Sequence, residues 1–163
     1  MEKYVLSVLV ENNAGVLSRV SGLFSRRGFN IDSLNVCETS DEKKSRMTIV
    51  VSGDEYVLDQ IVKQLSKLVE VISIEHCIPK ETCVREMALI KVKASGKERG
   101  EIIQACEIYR THIVDVSENA LIIEVTGSED KIDSLIRFLE PYGILELLKS
   151  GLVAMDRGEK TMK

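Results

Sequence analysis

The chain of 163 residues has no tryptophan, four tyrosines, three phenylalanines, two histidines and four cysteines. Each shortage closes a class of function. An RNA-recognition domain stacks bases on aromatic side chains of its central strands, and the segment Met47-Thr48-Ile49-Val50-Val51 offers none. The net charge of −4 is spread evenly: residues 1–78 carry 9 basic and 11 acidic groups, residues 79–163 carry 13 and 15, so neither half is a polyanion binder by charge. Cys37, Cys77, Cys83 and Cys106 form no C-x-x-C pair, and a thiol-based metal carrier of this size needs such a pair near its first loop. His76, Cys77 and Cys83 read as part of a linker with buried thiols rather than as a ligand set. With His76 in that linker and His112 at a strand start, no nucleophile, base and orienting acid fall into a recognisable set. Arg19 lies inside a helix, not in the loop where a small phosphatase would use it. No apolar run approaches the roughly 20 residues that span a bilayer, and no signal core opens the chain, so the expectation is a soluble, cytosolic protein.

What is present is one pattern, twice. Alternation and helical spacing predict strand 3–10, helix 15–27, strands 30–38 and 46–52, helix 54–67 and strand 69–76. After Pro79 the order returns as strand 86–93, helix 97–109, strands 113–117 and 121–126, helix 129–140 and a strand over 144–148. Each half is βαββαβ, and its helices suffice to cover one sheet face. The expected fold is therefore α+β, two ferredoxin-like βαββαβ domains with antiparallel sheets and helices on one face. The uncovered edges and faces make a homodimer the natural expectation.

The most informative stretch is Val10 to Ile31, VENNAGVLSRVSGLFSRRGFNI. A strand with a serine at its centre, Tyr4 to Val10, enters the turn Asn12-Asn13-Ala14-Gly15, and a helix follows at once. The first N–H groups of a helix have no partner within it, and a glycine there lets an anion approach. On its own, however, this turn reads as an ordinary capped helix, since Asn and Gly are common turn residues.

Further blocks change that reading. Asn12-x-x-Gly15-Val16-Leu17-Ser18-Arg19-Val20, Leu23-Phe24-x-x-Arg27-Gly28-x-Asn30-Ile31-x-Ser33-Leu34, Ser45-Arg46-Met47-Thr48-Ile49, Gln64-Leu65-x-Lys67-Leu68-Val69, Arg85-Glu86-x-Ala88-Leu89-Ile90-Lys91-Val92 and Ser150-Gly151-x-Val153-Ala154-Met155-x-Arg157-Gly158 together span nearly the whole chain. With these blocks the chain resembles the regulatory (small) subunit of acetolactate synthase, also called acetohydroxyacid synthase. The first block alone would indicate only an ACT domain.

The resemblance implies an ACT domain at 1–78, a linker at 79–83 and a smaller C-terminal domain at 84–163. It implies a chain with no catalytic residues and no cofactor of its own. Its partner would be a catalytic large subunit carrying thiamine diphosphate, magnesium and often FAD, which condenses pyruvate in branched-chain amino-acid synthesis. The small subunit would raise the activity of that partner and make it sensitive to an end product, usually valine. By the same resemblance the effector site involves Asn12, Asn13, Ala14, Gly15, Val16 and Leu17, with Asn30 and Ile31 supplied by a second subunit. An ACT-type amino-acid sensor serving a different enzyme or regulator is the alternative.

Overall fold

Side-chain alternation builds the first core. In Glu2–Glu11 (β1), Leu6, Val8 and Val10 turn to one face, and antiparallel pairing with Lys44–Gly53 (β3) sets Leu6 opposite Ile49 and Val8 opposite Met47. Val16–Arg27 (α1) and Glu55–Leu65 (α2) cover that face with Val20, Leu23, Phe24, Ile61 and Leu65. Ser33–Glu38 (β2) and Val71–His76 (β4) complete an antiparallel sheet of order β2-β3-β1-β4. The coordinates are a computed structural model, and they describe residues 2–162.

The second core repeats the plan. Thr82–Lys93 (β5), Gly96–Tyr109 (α3), His112–Val116 (β6), Ala120–Gly127 (β7), Glu129–Leu139 (α4) and Ile144–Lys149 (β8) form a sheet of order β6-β7-β5-β8. Ala88, Ile90, Val92, Ile123 and Val125 pack there against Ile102, Cys106, Ile132 and Leu135. Both halves are the ferredoxin-like arrangement expected from the element order. No helix among the described residues is long and apolar enough to cross a membrane.

The helix ends show why the elements stop where they do. Asp54 and Ser128 cap α2 and α4 by accepting from Val57 N at 2.9 Å and Lys131 N at 3.4 Å. At the end of α1, Gly28 takes a left-handed conformation, with Phe29 N bonding Phe24 O and Gly28 N bonding Ser25 O. Helix α3 ends on the same double hydrogen bond, but Arg110, at φ 52°, holds the left-handed position. An L side chain there costs roughly 1 kcal/mol. Arg110→Gly is accordingly expected to raise unfolding stability by about 1 kcal/mol, read as a higher urea midpoint at unchanged slope.

Three stretches depart from the periodicity. Strand β2 begins at Ser33 rather than 30, because Asp32 accepts from Asn30 Nδ2 at 2.9 Å and from Ser52 Oγ at 2.5 Å, which holds this stretch in a local turn. The segment between β4 and β5 is 77–81, two residues earlier than the expected linker at 79–83. A ninth strand, Val153–Asp156 (β9), pairs with β5.

The chain divides into two compact units, one running as far as Val84 and resuming at Leu152, the other Arg85–Gly151. The last segment groups with the first unit. Specific bonds hold it. Arg157 N donates to Glu81 O at 2.8 Å, Thr82 Oγ1 to Asp156 Oδ1 at 3.2 Å, and Arg46 Nη2 to Ala154 O at 2.9 Å. Lys160 Nζ sits 2.6 Å from Asp156 Oδ2 and 3.1 Å from Glu75 Oε2.

The Lys160 ammonium holds the Asp156 carboxyl below its ordinary value, and Asp156, followed by Glu75, raises Lys160. A depressed carboxyl contributes stability that is present above the unfolded value of about 3.9 and lost as pH falls through the lower folded one. The raised lysine contributes below about 10.4 and ceases to do so above its folded value. The C-terminal segment should therefore loosen first below about pH 4, seen as faster amide exchange at Val153–Asp156 while β1 and β3 stay protected.

Candidate functional site

The turn between β1 and α1 is held from three sides. Asn12 Nδ2 donates to Glu42 O at 2.8 Å and to Glu38 Oε2 at 3.1 Å, while its Oδ1 accepts from Ser45 Oγ at 3.0 Å. Asn13 Nδ2 donates to Glu11 Oε2 at 2.9 Å. Asn12 N donates to Lys43 O at 2.8 Å, and Arg19 in the first turns of α1 pairs with Glu70.

No side chain caps α1. Its N-cap is Gly15, left-handed at φ 87°, and a Cβ built there would meet no atom within 4 Å. Of the opening amides, Val16 N donates back to Asn13 O at 3.3 Å, while the Cβ direction of Gly15, a position that only glycine fills without strain, is open. Because both asparagine amide nitrogens are committed to oxygen acceptors, the anion-binding capacity lies in the backbone N–H groups and the positive end of the helix. The amide oxygen of Asn12 carries one hydrogen bond and has a second lone pair for a cationic donor.

The apolar neighbours divide. Val16 is 5% exposed and belongs to the first core, so it can offer a ligand its backbone but not its side chain. Leu17 is 45% exposed beside the turn. Residues 11–15 are all exposed, so one copy of the chain presents the turn as open surface rather than a pocket.

Asn30 and Ile31 lie elsewhere. They follow the end of α1, whereas the turn precedes its start, and twelve helical residues span about 18 Å. One chain does not bring the two groups together. Asn30 is exposed, with Nδ2 donating to Asp32, and Ile31 packs partly against the first core. Sequence reasoning missed Ser45, which lies on β3 and is 7% exposed; its hydroxyl fixes the orientation of the Asn12 amide. The signal available was a serine two residues ahead of the run Met47-Thr48-Ile49-Val50-Val51.

Of the other candidates, His112 lies on the edge strand β6 with Nδ1 3.6 Å from Glu124 Oε1. Cys77 and Cys106 are buried, and burial raises both thiols above their ordinary range, which keeps them protonated and inert.

Comparison with known proteins places this geometry. Residues 6–73 match the model of an AHAS small subunit-like ACT domain, and residues 85–158 match that of the small subunit of acetolactate synthase. The chain is 52% identical to the acetolactate synthase small subunit of Mycolicibacterium smegmatis over 157 residues, covering 96% of this chain and 92% of that one. This chain belongs to the acetolactate synthase small-subunit family. The Haemophilus influenzae acetolactate synthase small subunit is 47% identical over 159 residues, 97% of this chain and 98% of that one. The crystal structure of the acetolactate synthase small subunit from Thermotoga maritima superposes with a TM-score of 0.91 at 41% identity, covering 98% of this chain and all of the other. Within this family the first unit carries the ACT fold, and the Asn12–Gly15 turn lies between its first strand and first helix.

Proposed function

We propose that this chain is the regulatory subunit of acetolactate synthase. It binds the catalytic large subunit, raises the rate at which two pyruvates become 2-acetolactate and carbon dioxide, and makes that rate sensitive to valine. Thiamine diphosphate, magnesium and, in many such enzymes, FAD belong to the partner in this reading. The observation that carries it is the start of α1 in the ACT unit, which has no side-chain cap and a left-handed Gly15 whose Cβ direction is open.

The amides of Gly15 to Leu17 hold the effector carboxylate, the oxygens of Asn12 and Asn30 accept from its ammonium, and Leu17 with Ile31 receives the branched side chain. Because the turn and Asn30 are separated by the length of α1, the site forms between two copies of the chain, and a two-fold dimer holds two such sites. Burial of a valine side chain offers about 1.5–3 kcal/mol and each charge-assisted hydrogen bond about as much. After ordering costs this leaves a dissociation constant near 0.1 mM, about −5.5 kcal/mol, which suits a sensor of a metabolite pool. A site across a subunit boundary also gives the ligand a differential grip on two dimer geometries, the requirement for biasing a partner.

The test is reconstitution. The purified chain should stimulate a purified large subunit in acetolactate formation, and valine should reverse the stimulation, with valine, leucine and isoleucine compared by calorimetry on the chain alone. Valine binding without stimulation of the large subunit would instead favour an ACT module serving another protein.

A further inference from the structure

The helix-free face of the first sheet is unusually polar for a covered surface. Antiparallel register places Ser7, Thr48 and Glu75 in one row and Leu9, Arg46 and Ser73 in the next. Ser7 is 1% exposed and Thr48 5%. Buried hydroxyls need partners, and here the chain's last segment supplies part of the answer. Arg46 reaches in two directions: Nε donates to Ser7 Oγ at 2.9 Å and Nη2 to Ala154 O at 2.9 Å. Ser7 Oγ in turn donates to Met162 Sδ at 3.5 Å. One guanidinium thus clamps β9 onto the sheet. Beside it, β9 is tied by Asp156 and Arg157 to Thr82 and Glu81, the segment through which the chain leaves the first unit. The chain's way out of the first unit and its way back in are bound to each other.

The residue next to Arg46 is Ser45, whose hydroxyl holds the amide of Asn12 in the effector turn. A single residue step on β3 therefore joins the turn to the clamp. Asn12 is already fully used on its nitrogen side, so an effector ammonium must bond Oδ1, the atom that Ser45 holds. The ammonium takes the second lone pair of that oxygen with a charge-assisted bond, and the stronger donor draws the amide toward itself and lengthens the Ser45 bond. Ser45, 7% exposed, then holds a weakened bond, and the head of its strand adjusts to keep it.

We propose that Ser45–Arg46 transmits effector occupancy to the C-terminal segment: binding at the Asn12 turn draws on the Ser45 bond, relaxes the Arg46 clamp and loosens β9 with the paired segment leading to the second unit. The inference rests on the effector reading above and adds the element that moves. Core contacts fix β1 and the Met47–Val51 part of β3, so the adjustment falls at Ser45–Arg46 near the head of that strand, whereas β9 is a four-residue strand, the kind of element that opens at low cost.

Hydrogen exchange on the full chain, with and without saturating L-valine, tests it. Valine should speed exchange at Val153–Asp156 about ten-fold while β1 stays protected, the effect of losing one clamp bond. Ser45→Ala, studied at valine concentrations that the calorimeter shows to saturate it, should show no valine-dependent change at β9. Arg46→Lys keeps the charge but not the two-way fork; it should exchange fast at β9 in both states and gain nothing from valine. Valine binding with unchanged β9 exchange, or a full response in Ser45→Ala, would overturn this inference alone. Absence of valine binding to the unsubstituted chain would overturn the effector reading as well.

Discussion

Gly15→Asp is expected to abolish valine inhibition of the reconstituted enzyme. Two unit charges about 4 Å apart repel by about 4 kcal/mol at an effective dielectric of 20 and by about 1 kcal/mol in bulk water. A site enclosed between two subunits lies toward the first figure, which corresponds to roughly a thousand-fold loss of affinity. The substitution also carries a backbone cost, because Gly15 sits at φ 87°. That cost is about 1 kcal/mol and falls on Asn as on Asp, two side chains that tolerate this conformation better than most. Gly15→Asn is therefore the matched control. It should weaken valine binding far less than Gly15→Asp, and calorimetry on the two proteins separates charge from strain. Equal losses in both would assign the effect to the backbone and remove the carboxylate from the turn.

Phe24→Ala should be the most damaging single truncation in the first unit. Phe24 is 1% exposed, sits on the core stripe of α1, and its carbonyl accepts the hydrogen bond that closes the helix end from Phe29. Removing a fully buried ring costs about 3–5 kcal/mol through lost transfer energy and the cavity left behind. Against a typical domain stability of about 5–15 kcal/mol, that is enough to populate unfolded first unit at modest urea. The two cores are separate, so the loss should fall on the first unit's transition, while signals from Tyr109 and Tyr142 in the second keep their midpoint. A uniform drop of both transitions would show that the units unfold as one.

The same two residues mark what the sequence could and could not disclose. Phe24 is legible from periodicity, because a helix that packs on a sheet repeats its apolar residues at three and four, and Val20, Leu23 and Phe24 do so. Gly15 was singled out by its neighbours in sequence, and its left-handed conformation follows from the same local chemistry. The failures are tertiary. Strand β9 is four residues long and follows Gly151, and nothing in Val153-Ala154-Met155-Asp156 says which sheet it joins. The signal lay far away, in Ser7 at the centre of an apolar strand and Arg46 within another, polar groups that a folded chain has to cover and bond. Strand β2 started late for a similar reason, since the preference of Asp32 for side-chain partners outweighed the apolar pattern around it.

Whether Asn30 and the Asn12 turn serve one ligand is likewise invisible in a single chain, for they stand at opposite ends of α1. The most direct measurement is a mixing experiment between Gly15→Asp and Asn30→Ala proteins, each of which should fail to bind valine as a homodimer. If each site is built from the turn of one copy and Asn30 of the other, a mixed dimer concentrates both lesions in one site and leaves the second intact. The account predicts that mixed dimers regain valine binding at one site per dimer. Mixed dimers that form but bind no valine would place both groups in the same chain's site and contradict it.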